Sequence, residues 1–61
     1  MTTHRDVLIE EVLSIIGERS GVVQLAVEQV VDGLPHLWNH PRRAIIVRWH
    51  VMRLMGIHEP H

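Results

Sequence analysis

The sequence predicts an all-α protein of three short helices: a helical hairpin, then a central and largely apolar C-terminal helix on which two copies pair. Three observations carry that expectation. Apolar residues recur at three- and four-residue spacing through the first two segments. Glycine and proline fall between the segments, at Gly17, Gly21, Gly33, Pro35 and Pro41. The third segment, Pro41 to Gly56, is apolar almost all the way round.

The first helix is expected from Val7 to Glu18. Thr2 or Thr3 suits its cap, and Thr3-His4-Arg5-Asp6 resembles a capping box with Asp in place of Glu. Leu8, Ile9, Val12, Leu13, Ile15 and Ile16 form one face, and Asp6, Glu10, Glu11, Ser14 and Glu18 the other. The run Gly17 to Gly21 is a turn, and Ser20 suits the cap of the next helix. That helix is expected from Gly21 to Asp32, closed by Gly33 and stopped by Pro35. Its many valines are mediocre helix formers, so it depends on packing. Leu34, Leu37 and Trp38 are apolar where a surface loop is normally polar, so they either fold back on the core or form a contact surface.

The third helix is expected over residues 41–56, with Asn39 or His40 as cap and Pro41 in the first turn. At 100° per residue, Val47, Leu54, Val51, Ala44, Met55, Met52, Ile45 and Trp49 cover more than half the circumference. A surface helix needs an apolar stripe of only about 100°. Arg42, Arg43, His50 and Arg53 hold the remaining arc, with Ile46 among them, while Arg48 falls inside the apolar arc. A rival reading exists for residues 44–52, whose alternation of Ile45, Val47, Trp49 and Val51 also suits a half-buried strand. Length and capping favour the helix.

Sixty-one residues make one small domain, spanning 1–61. Chains of this size bury only about 60% of their unfolded surface and gain from a partner. No cysteine is present, which removes disulfides and thiolate metal sites. No apolar run approaches a membrane span, and the N-terminus lacks a signal-peptide pattern, so a cytoplasmic protein without a membrane partner is expected. Net charge is −1 but uneven: residues 1–35 hold two arginines against six acids, and residues 36–61 four against one. Such asymmetry suits either a nucleic-acid face or acidic and basic segments that pair with each other, the second being preferred.

No catalytic or cofactor motif is present, so no enzyme activity and no cofactor are expected. Ser20 is explained as a cap, and Ser14 lies on a polar face. His36 and His40, like His58 and His61, have spacings that metal sites use, but one pair lies in a proline-bounded loop and the other in a tail expected to fray. No metal site is expected from them, although histidine can confer pH sensitivity.

Gly21-Val22-Val23-Gln24-Leu25-Ala26-Val27 and Pro41-Arg42-Arg43-Ala44 are similar to stretches of small phage Cro-type repressors. The resemblance covers about a third of the chain and implies a helix-turn-helix that binds DNA. The chain departs from it where recognition is made: Gln24, Glu28, Gln29 and Asp32 offer no cation to phosphate. The chain is not assigned to that family.

The preferred expectation is a small regulatory or interaction protein that binds another, unidentified protein as a homodimer. Arg48, Trp49, Met52, Met55, Ile45, Val51 and Trp38 are the interface candidates, with Arg48 pairing to Glu28, Glu11 or Asp32 of either chain. The alternative is a helix-turn-helix-like DNA regulator that uses Arg42, Arg43, Arg53 and His50.

Overall fold

The computed structural model describes residues 3–56. The described residues are all-helical: α1 (His4–Ile16), α2 (Gly21–Gly33), a 3₁₀ turn (Pro35–Leu37) and α3 (Arg43–Leu54). Residues 44–52 are helix, which removes the strand alternative. The alternate cap Thr2, the pair His58 and His61, and the expected fraying of the tail lie outside the described residues.

Helix α1 starts three residues earlier than expected because Thr3 is its cap, accepting a hydrogen bond from the Asp6 N–H at 3.2 Å. The Asp6 carboxylate faces Arg5 at 3.4 Å. The helix ends at Ile16, short of the expected Glu18, because Gly17 adopts φ +77°. That left-handed geometry suits glycine and disfavours a residue with a Cβ. Ser20 caps α2 as expected, accepting from the Val23 N–H at 3.3 Å.

The end of α2 keeps the expected stop at Pro35 but not the expected role of Gly33. Gly33 is the last helical residue and its φ is not positive, so glycine freedom is not what stops the helix. Pro35 prevents continuation. The carbonyl of Val31 accepts from the Leu34 N–H at 3.2 Å and from the Trp38 indole Nε1–H at 2.8 Å. A tryptophan seven residues on thus gives this helix-end carbonyl a second donor.

Helix α3 begins at Arg43, not Pro41, and the Arg42 side chain at its cap position makes no capping hydrogen bond. His40 organises the entry from further upstream. Its Nδ1 accepts from the Arg42 N–H at 3.0 Å, and its carbonyl accepts from the Arg43 N–H and Nη1–H, both at 3.2 Å. Gly56 follows with φ +72°, as a stop signal requires.

Each helix packs against the other two. The core consists of Leu8, Ile9, Val12, Leu13, Val23, Ala26, Val27, Val31, Leu37, Val47 and Val51, and among the described residues no polar side chain is buried in it. Valine dominates the core, and methionine enters only at its edge through Met55. Leu34, Leu37 and Trp38 fold back onto it.

The α1–α2 hairpin is antiparallel, and Arg5 and Asp32 close its open end. Arg5 Nε donates to Asp32 Oδ1, and its Nη2 donates to Oδ2 at 3.1 Å. This fork lowers the Asp32 pKa below the ordinary carboxylate value and raises that of Arg5. The two 13-residue helices are each about 20 Å long. Crossing at the roughly 90–120° of a helix-turn-helix would separate their far ends by about 20–30 Å, beyond the reach of this pair. The Arg5–Asp32 fork therefore holds these two helix ends together.

Both contacts at the end of α2 can be tested by substitution. Trp38→Phe keeps most of the apolar contact and removes the Val31 carbonyl's second donor, so it lowers stability by about 1 kcal/mol in urea unfolding. The Arg5–Asp32 fork stabilises the fold fully only above the unfolded carboxylate pKa of about 3.9, and the contribution is lost as pH falls through the lowered folded value. Asp32→Asn is therefore less stable than wild type near neutral pH, and the two unfolding midpoints converge in strong acid.

Candidate functional site

Helix α3 presents two apolar faces, and the other described residues cover one. Val47 and Val51 are buried, with Ala44, Ile46 and Met55 packed beside them. The opposite face bares Ile45 at 60% exposure and Trp49 at 56%, with Met52 half-buried alongside. Ile45, Trp49 and Met52 lie four and three residues apart, so they form one stripe. Leu54, at the end of the helix, is also exposed.

The stripe carries its own polar edge. The Arg53 guanidinium lies 4.7 Å above the Trp49 ring, a cation–π contact one turn apart. The His50 ring meets Trp49 edge-on at 5.6 Å and 71°. These contacts orient an indole that remains half in solvent. Arg48 is half-buried beside the stripe and forms no hydrogen bond or ion pair among the described residues.

The acids expected to pair with Arg48 are engaged elsewhere within the chain. Asp32 holds Arg5, and Glu28 accepts from the Gln24 amide at 3.2 Å. Glu11 takes a two-pronged bond from Arg43, at 2.9 Å from Nε and 3.2 Å from Nη2. The last pair joins the acidic first part of the chain to its basic last part. The sequence hid it because its members lie 32 positions apart.

Two interface candidates lie against the chain's own core. Val51 is 1% exposed and belongs to the chain's own core, on the face opposite Trp49. Trp38 is half-buried with its indole N–H committed to Val31, so it is a cap rather than a free anchor. Met55 is half-buried against the core and contributes only an edge. Of the basic arc, Arg42 is exposed, Arg53 covers Trp49, Arg43 is held by Glu11 and His50 is half-buried. Ile46, placed with that polar arc by periodicity, packs on the core.

Sequence reasoning missed the exposed apolar residues of the hairpin. Val7 and Ile15 of α1 are 42% and 48% exposed, and Val22 and Leu25 of α2 are 70% and 59% exposed. Val7 and Ile15 line a shallow open groove along α1 with Asp6, Glu10, Glu11 and Ser14, bordered across the helix pair by Ala44. Val7 and Ile15 are eight residues apart, about two helical turns, which is the signal by which they could have been paired. A second shallow crevice between α2 and α3 involves Val30, Leu34, His50 and Arg53.

Among the described residues no group of three or more His, Cys, Asp or Glu side chains is placed to hold a metal. His36 is exposed in the 3₁₀ turn, and one nitrogen of His40 is already engaged by Arg42. No described helix is long and apolar enough to cross a membrane. Comparison of the chain with known protein families, curated proteins and solved structures finds no match.

The Arg43–Glu11 pair ties α3 to α1 close to the groove. Its two-pronged geometry and partial burial put its coupling at about 0.5–1 kcal/mol. A double-mutant cycle with Arg43→Met and Glu11→Gln, read by urea unfolding, measures that coupling. A value near zero shows the pair to be a solvated contact.

Proposed function

We propose that this chain is a small non-enzymatic interaction protein that acts by binding another protein, as a homodimer built on α3. The observation that carries the reading is the exposed Ile45–Trp49–Met52 stripe with Arg53 stacked on its tryptophan. Folded monomers seldom leave a tryptophan and an isoleucine side by side in solvent, and such patches mark protein contacts. Tryptophan and arginine are also the residue types enriched where binding energy concentrates. The grooves on this small molecule are shallow and open, unlike the enclosed pockets in which enzymes bind small substrates.

The nucleic-acid reading has weaker support. Arg42, Arg48 and Arg53 remain available to an anion, but Arg43 is neutralised by Glu11. The hairpin is antiparallel, and α2 turns Gln24 and Gln29 outward with no cation between them.

The test is light scattering across a dilution series, with Trp49→Ser beside the wild type. Trp49 contributes little to the chain's own core, so the variant keeps its helicity by circular dichroism. The wild type is expected to be dimeric and the variant monomeric at the same concentration. A wild type that stays monomeric at high micromolar concentration overturns the homodimer.

A further inference from the structure

Three surface features stand out: the α3 stripe, the α1 groove, and Arg48. Taken singly, each is an unpartnered patch or an unpaired charge. Together they are complementary to one another. The stripe is apolar and flanked by Arg48 and Arg53; the groove is shallow and open, apolar through Val7 and Ile15, and rimmed by Asp6, Glu10 and Glu11. The two helices carry opposite charge. In α1, Arg5 stands against three acids, Asp6, Glu10 and Glu11, apart from His4; in α3, Arg43, Arg48 and Arg53 share the helix with no acid.

We propose, resting on the homodimer reading above, that the α3 stripe of one copy seats in the α1 groove of a second copy, and reciprocally. Trp49 and Ile45 then pack on Val7 and Ile15 of the second copy, and Arg48 meets Glu10 and Asp6 there. Stripe and groove share a border at Ala44, which lines the groove and precedes Ile45. Two different patches that adjoin on one surface can be exchanged between two copies about a two-fold axis near that border. Alanine at the border leaves room for close approach of the two α3 helices.

The groove acids can serve this second role. Among the described residues Glu10 is held only by Arg19, through a single contact with both side chains more than half exposed. Among the described residues the Asp6 carboxylate has only the 3.4 Å contact with Arg5, whose stronger fork goes to Asp32. Exposed pairs of this kind are weak and exchange readily. Glu11, the better-held acid, stays with Arg43 and does not enter the contact. Arg48, half-buried and unpaired among the described residues, gains the partner that a partly desolvated cation needs.

A charge swap tests the arrangement. Arg48→Glu and Glu10→Arg each turn two attractive contacts of the dimer into two repulsive ones. Each variant alone is expected to dissociate at least about tenfold more readily than wild type, equivalent to about 1.4 kcal/mol. Mixed in equal amounts, the two variants restore both contacts. On one side the introduced carboxylate at position 48 meets the introduced guanidinium at position 10, and on the other the native Arg48 meets the native Glu10. Native mass spectrometry should then find a dimer containing one of each. Circular dichroism checks that each variant is folded. A wild-type dimer whose folded variants stay apart when mixed overturns this inference and leaves the homodimer standing. Variants that each dimerise as tightly as wild type do the same, and point to another surface. A wild type that never dimerises overturns both readings.

Discussion

An α-helix of this length can turn one stripe to a core and must give the rest to solvent or to a neighbour, and the structure follows from how α3 meets that constraint. Its inward stripe is Val47 and Val51, which join Val12, Val27 and Val31 in the core with almost no exposure. Valine is short and branched, so helices built on it approach closely and bury little area per residue. Apolar residues that do not reach the core, from Ile45 and Trp49 to Val7 and Val22, are left outside.

The valine core also transfers responsibility to the helix ends. Valine lowers intrinsic helix propensity, so α2 in particular relies on its termini and its packing. Each of these termini has a specific device: Thr3 and Ser20 at two N-termini, His40 before the third, Gly17 after α1, and Trp38 over the end of α2. The ion pairs add a second level. Arg5–Asp32 holds the open end of the hairpin, and Arg43–Glu11 holds α3 to α1. These charges make the uneven charge distribution of the sequence partly an internal matter of the fold.

What could be read in advance was local, and what could not was the rotation of α3. Helix identities and the Thr3 and Ser20 caps follow from residue type and spacing over a few positions. At the terminus of α2 the stop at Pro35 was legible, but closure was misattributed to Gly33, because the indole that caps this end arrives from seven residues on. Periodicity identified α3 as apolar on too many sides, and that excess is present in the structure. It could not say which side faces inward. That choice lies with the packing of α1 and α2, and it sent Val51 and Ile46 inward and Ile45 and Trp49 outward. The Arg43–Glu11 pair was illegible for the same reason, since only tertiary structure brings those positions together.

The outward stripe also bears on stability. A chain this small keeps a thin margin between burial and conformational entropy. Any partner that covers Ile45 and Trp49 in the folded state alone stabilises it by mass action. Fold and assembly are then linked through one helix: Val47 and Val51 hold α3 to its own chain, and the residues of its opposite face are available to another. A substitution on the inner face should weaken both folding and association, because the outer stripe exists only while the helix is docked. A substitution on the outer face should weaken association alone. That asymmetry separates a binding surface from an exposed residue that happens to be apolar.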